Sequence, residues 1–145
     1  MKTDKQQVGL AIVGCGTIGR IRAELARAFP GIGWIGLCDI KSDIGRKLAE
    51  DVEADFYTDD YRELLNRPEV TATIIATDEN FHFDPTMLAI EKGHALFIEK
   101  PLATDARQSA QILAAIEENG IDAVVGYTQR FRRRFLAIKE RLVTG

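Results

Sequence analysis

The sequence is short of several things, and each shortage excludes something. Among its 145 residues are two cysteines and two histidines. Cys15 and Cys38 cannot make a metal site by themselves, so no metal is expected. Each falls inside or beside an apolar run that reads as a buried strand, and a reduced cytoplasmic protein is the simplest reading. An excess of either charge is also missing. The 19 Lys and Arg against 22 Asp and Glu leave a net charge of −3, which gives no electrostatic reason to expect nucleic acid or an anionic membrane as a partner. Apolar runs stay well short of the roughly 18–20 residues that span a bilayer. Met1–Gln7 is polar and the run after it is strand-length, so no signal peptide is expected. Internal repeats, low-complexity tracts and linkers are absent as well.

What is present is ordinary in bulk and specific in one place. Hydrophobic residues make up 46% and charged residues 28%, the composition of one soluble globular domain with room for a core. The specific place is Val8–Gly19, an apolar run ending in Gly14, Gly16 and Gly19, after which a helical pattern starts at once. In a dinucleotide-binding turn of the form G-x-G-x-x-G, the first glycine permits the tight turn. The second lets a pyrophosphate approach the backbone, and the third lets the helix pack close to the strand. The helix start, with Thr17 and Ile18, offers free N–H groups and the positive dipole end to phosphates. Many glycine-rich turns match this pattern by chance, so context decides. A second apolar run, Gly33–Asp39, ends in an acid twenty residues past Gly19, the spacing at which a carboxylate meets the adenosine ribose hydroxyls. Without a ligand, the same residues are an ordinary βαβ unit with a surface Asp.

The rest of the chain alternates. Thr17–Phe29 reads as a helix with Ile18, Ile21, Leu25 and Phe29 at helical spacing and Arg20, Arg22, Glu24 and Arg27 toward water. Ser42 reads as the N-cap of a second helix reaching about Val52, and Ala54–Tyr57 as a third strand. A short helix follows Asp59 and Asp60. Val70–Thr77, β-branched and apolar, reads as a buried parallel strand. Asp78–Asp84 is its loop, and Pro85–Lys92 a helix closed by Gly93. His94–Glu99 is a fifth strand, Thr104 the cap of a helix to about Asn119, and Ile121–Gly126 a sixth strand. This alternation predicts an α/β fold, a doubly wound parallel sheet of the Rossmann type in a single domain. The expected division is residues 1–128 as the dinucleotide-binding domain and residues 129–145 as a C-terminal helix.

Ligands of open parallel sheets sit at the carboxyl ends of the strands. Four loops share that edge: Gly14–Gly19, Asp39–Ser42, Thr77–His82 and Glu99–Pro101. Lys100 follows a buried strand and precedes a proline. It either projects toward a nicotinamide and its substrate, donating a hydrogen bond or moving a proton, or is a solvated lysine at a strand end. His82 is a lone imidazole, for which a structural role is the default.

Together Gly14-Cys-Gly-Thr-Ile-Gly19, Asp39, Ala76-Thr77 with His82 five residues on, and Glu99-Lys100-Pro101 resemble the glucose–fructose oxidoreductase/inositol dehydrogenase (Gfo/Idh/MocA) family. The likeness runs over essentially the whole chain, including Gly126–Phe131, and the Glu-Lys-Pro tripeptide is its specific element. The resemblance implies hydride transfer between a hydroxyl of a sugar, cyclitol or related compound and NAD or NADP. It implies Lys100 as the catalytic lysine and Gly14, Gly16, Thr17, Ile18, Gly19, Asp39, Thr77, His82, Glu99 and Lys100 around the cofactor. Asp39 favours NAD over NADP because a carboxylate repels a 2′-phosphate, and Ile40 is not the arginine that would welcome one; Lys41 leaves modest room for NADP.

Two departures from the family stand out. Asp78 and Glu79 replace its usual Pro-Asn, and are expected to point away from phosphate or cap the helix after Phe83. The family's C-terminal α+β domain, which carries most of the substrate pocket and an acid–histidine pair, has no counterpart before Gly145, so an incomplete catalytic site is expected. In the last segment Phe131, Phe135, Ile138 and Leu142 form one apolar helical stripe, with Arg130, Arg132, Arg133 and Arg134 at its start. That stripe is expected to fold back on the sheet, pair with a second copy as a homodimer, or be disordered. Two other readings stay open. One is a non-catalytic nucleotide-sensing or partner-binding module. The other is a methyl-donor-binding transferase, against which Gly19 and the Glu-Lys-Pro loop count.

Overall fold

The computed structural model describes residues 7–144, apart from the side chain of Phe131; the polar residues 1–6 lie outside the described residues. Six parallel strands, β1 (Val8–Val13), β2 (Ile32–Cys38), β3 (Phe56–Thr58), β4 (Ala72–Ile75), β5 (Ala95–Ile98) and β6 (Ala123–Val125), form one sheet in the order β3-β2-β1-β4-β5-β6. The order reverses direction between β1 and β4, which is the topological switch of a doubly wound fold. The helices of the two halves fall on opposite faces, as right-handed crossovers, the rule in parallel sheets, require. Helices α1 (Thr17–Arg27) and α2 (Ser42–Asp51) cover one face. Leu10, Ile12, Ile35 and Leu37 pack there against Ala23, Ala26, Leu48 and Val52. The other face carries α3 (Tyr61–Leu65), α4 (Phe83–Glu91) and α5 (Ala106–Asn119), and there Val13, Ile75, Leu96 and Ile98 meet Leu64, Leu65, Ala89, Ile90 and Ile112.

The expected order of elements holds, with local corrections. Lys41 occupies the N-cap position of α2, and Ser42 is its first helical residue. Asp105, not Thr104, caps α5, its carboxylate accepting from the amides of Arg107 and Gln108. The expected loop Asp78–Asp84 contains a 3-10 turn, Glu79–Phe81, and α4 starts two residues before Pro85. Gly120 closes α5 in the left-handed conformation, φ 62°, which costs a glycine little.

The largest correction concerns α1. Ile18 and Ile21 are 44% exposed, Leu25 61% and Phe29 62%, whereas Gly19, Ala23 and Ala26 are buried. A Cβ on Gly19 would stand 1.9 Å from the carbonyl oxygen of Gly14. The helix therefore lies too close to the strand for large side chains, and its smallest residues, spaced four and three apart, face inward. The apolar stripe faces outward.

The last helix, α6 (Arg133–Thr144), is exposed along all twelve of its residues. Phe135, Leu136, Ile138 and Leu142 are 43–81% exposed. Phe131 belongs to the 3-10 turn Thr128–Phe131 rather than to this helix, and its side chain lies outside the described residues.

Candidate functional site: a dinucleotide cleft at the carboxyl edge

One row of backbone hydrogen bonds defines the edge. Gly14 donates to Cys38 O (2.8 Å), Ala76 to Val13 O (2.8 Å), Glu99 to Ile75 O (2.9 Å) and Gly126 to Ile98 O (2.7 Å). The sheet thereby brings the four expected loops to one side, beside the switch between β1 and β4.

The three glycines meet three different constraints. Gly14 has φ +99°, and a Cβ there would lie 2.5 Å from Ala76 O. Gly19 carries the contact with Gly14 described above. Around Gly16 nothing lies within 4 Å of where a Cβ would be; that open space is the room a pyrophosphate needs at the helix start. Among the described residues no side chain caps α1, and its first turn holds no acid, so its leading amides and dipole face outward uncompensated. Gly16, Thr17 and Ile18 are exposed there.

Asp39 is half-buried and aims at this turn. Its Oδ2 accepts from the Cys15 amide at 2.7 Å, and its Oδ1 accepts from the Lys41 amide at 2.8 Å. Each carboxylate oxygen keeps acceptor capacity beyond one bond. Cys15 and Cys38 lie under the turn as free, buried thiols, and burial pushes both up to about 12, the nearby Asp39 carboxylate adding to the shift. They are neutral at physiological pH and inert as nucleophiles.

The other two loops are tied to each other. His82 is 1% exposed, with Nδ1 2.9 Å from Pro101 O and Nε2 3.2 Å from Thr77 O. Both ring nitrogens thus face protein carbonyls, and the ring spans the loops after β4 and β5. Thr77 is half-buried and its hydroxyl donates to Asp78 O at 3.1 Å. Asp78 caps its own 3-10 turn rather than the helix after Phe83. Its carboxylate accepts from the Asn80 amide and side chain, bonds that hold it below the usual carboxylate range.

Glu99 is 9% exposed and faces α1, where the Arg22 guanidinium donates to it at 2.9 and 2.5 Å. Arg22 also stacks 4.7 Å over the Phe97 ring. Expected in water, Arg22 instead anchors the strand end that presents Lys100. Lys100 itself is exposed, and the peptide joining it to Pro101 is cis. Tyr57 is a further neighbour, its hydroxyl donating to Asp39 O at 3.1 Å. Neither Arg22 nor Tyr57 stood out in the sequence. The available signals were Gly45 inside α2, which marks a close approach, and a charged residue one step from the inward Ala23. Among the described residues no group of three metal-ligating side chains occurs, and no helix is long and apolar enough to cross a membrane.

Strand, glycine turn, uncapped helix start and a carboxylate closing the neighbouring strand define a dinucleotide-binding domain of the doubly wound class. The chain belongs to the GFO_IDH_MocA family, the oxidoreductase family with an NAD-binding Rossmann fold, which matches residues 8–127. The inositol 2-dehydrogenase of Gluconacetobacter diazotrophicus is 32% identical over 141 residues, 95% of this chain and 42% of that protein. The scyllo-inositol 2-dehydrogenase (NAD(+)) of Bacillus subtilis is 28% identical over 97% of this chain and 42% of its own length. Among solved structures, GenD2 from gentamicin A biosynthesis, in complex with NAD, superposes with a TM-score of 0.87 at 27% identity, covering 93% of this chain and 38% of that one. The chain thus spans about two fifths of the relatives it matches, and is an NAD-binding oxidoreductase domain.

Proposed function

We propose that this chain forms the cofactor-holding part of an oxidoreductase that moves a hydride between NAD and a hydroxyl-bearing carbon of a sugar, cyclitol or related compound. Residues 1–128 make up the binding domain, and residues 129–145 lead into the segment that completes the substrate pocket. The observation that carries the reading is the Asp39 carboxylate bound to the Cys15 amide inside the glycine turn. That bond sets the ribose-binding group and the phosphate-binding turn in one rigid unit. Gly14, Gly16, Thr17, Ile18 and Gly19 hold the pyrophosphate, and Asp39 takes the adenosine ribose. NAD accepts or returns the hydride. Lys100, exposed at the end of β5, donates a hydrogen bond to the reacting oxygen or moves its proton. Glu99 and His82 hold its loop and the Thr77 loop in place, through Arg22 and the two carbonyls. NAD is preferred to NADP, because Asp39 repels a 2′-phosphate and the 82%-exposed Ile40 offers it no cation. The buried thiols fit a reducing, cytoplasmic setting.

Calorimetric titration of this chain with NAD+ and NADP+ tests the reading. Tighter NAD+ binding, weakened by Asp39→Ala, is expected; equal or tighter NADP+ binding overturns it. We further propose that α6 pairs with a second copy through Phe135, Ile138 and Leu142, which lie bare along it. Sedimentation should find a dimer that Ile138→Glu converts to monomer, and a monodisperse monomer at all concentrations rules the pairing out.

A further inference from the structure

We propose that Tyr57 is a positioning residue for cofactor choice: it pins the peptide that carries Asp39 and so fixes where the carboxylate points. The inference rests on the reading that Asp39 takes the adenosine ribose. Besides the strand bond from its amide to Thr58 O, three bonds define the Asp39 orientation. Two hold its carboxylate, from the amides of Cys15 and Lys41. The third comes from the Tyr57 hydroxyl to the Asp39 backbone carbonyl, at 3.1 Å. Rotation of that carbonyl would swing the Asp39–Ile40 peptide and draw the Lys41 amide off Oδ1. Tyr57 therefore acts on the carboxylate through the backbone, without touching a ligand.

The tyrosine is itself held in place. It sits on β3 opposite Leu37 of β2, one register step before the Cys38–Thr58 pair. Thr58 O in turn accepts from the Asp39 amide at 3.4 Å. Its ring lies over Gly45 of α2, where a Cβ would fall 2.3 Å from Cε2, and the Arg46 guanidinium stacks 5.3 Å from its centroid. Gly45 thus leaves the space that the ring occupies, and the ring's position delivers the hydroxyl to Asp39. Cofactor choice depends on a carboxylate in one place, because the ribose hydrogen bonds are lost with small displacements, whereas repulsion of a 2′-phosphate, which falls only as the inverse of distance, changes little. Loosening the carbonyl should therefore weaken NAD+ more than NADP+.

The test measures dissociation constants of NAD+ and NADP+ for this chain, with thermal midpoints alongside. Tyr57→Phe, which keeps the ring and removes the hydroxyl, should weaken NAD+ about three- to tenfold, the worth of one hydrogen bond. NADP+ should change less, so the preference ratio falls. Gly45→Ala, which displaces the ring, should lower the ratio in the same direction. In an Asp39→Ala background, Tyr57→Phe should leave the ratio unchanged, since its effect runs through the missing carboxylate. An unchanged ratio in both single variants, with Asp39→Ala still abolishing preference, overturns the Tyr57 inference and leaves the Asp39 reading standing. Equal weakening of both cofactors with a lowered thermal midpoint also overturns it, as a merely structural role would predict. A ratio unmoved by Asp39→Ala overturns the underlying reading instead.

Discussion

The two faces of the sheet are built from similar strands and finished differently. On the α3–α5 face, helices cover the apolar positions from β1 through β5, and Ile75, Ile98 and Ile112 are 0% exposed. On the opposite face α1 and α2 cover the half that carries the glycine turn. Beyond α1 runs an open apolar groove lined by Leu25, Phe29, Ile74, Phe97 and Val124. The covered face shows what holds the domain together. The half-open face shows that apolar residues at regular spacing mark a surface to be buried without saying against what. Of the outward stripe of α1, Leu25 and Phe29 border this groove.

Truncation sharpens the comparison most. Ile98→Ala, on the covered face, should cost about 2–5 kcal/mol in denaturant unfolding. Leu25→Ala, on the groove, should stay within about 0.5 kcal/mol. Equal costs would mean that the groove is filled in solution. A smaller contrast comes from pH. His94, 4% exposed and 2.9 Å from the Thr73 hydroxyl, sits on the covered side, and burial holds its imidazole below the ordinary value of 6.5. The unfolded chain therefore takes up the proton first. Stability is full above 6.5 and falls as pH drops through 6.5 toward the lower folded value. Unfolding free energies at pH 7.5 and 5.5 should differ less in His94→Gln than in the wild type; an unaltered difference would remove His94 as the source.

Much of this was legible in the sequence because it is local. Gly14, Gly16 and Gly19 announce themselves by spacing, and Asp39 by its distance from them. Strand and helix order followed from alternating apolar runs, and the structure moved boundaries by one or two residues, except at α6, which starts four residues later than expected. What was hidden depends on contacts between distant segments. Which face of α1 points inward is set by its close approach to Gly14, five residues back in the turn after β1. The partners of Glu99 and Asp39, namely Arg22 and Tyr57, lie 77 and 18 residues away. Nothing in their local patterns names those contacts. His82 stood out as a lone imidazole with a structural role as the default. Only the fold shows both its nitrogens turned to carbonyls.

That imidazole has a mechanical meaning. Lodged between the carbonyls of Thr77 and Pro101, it packs the segment after β4 against the one bearing Lys100. A displacement of either segment would therefore pass to the other through a single rigid ring. The two loops become two ends of one lever, with its fulcrum out of reach of solvent.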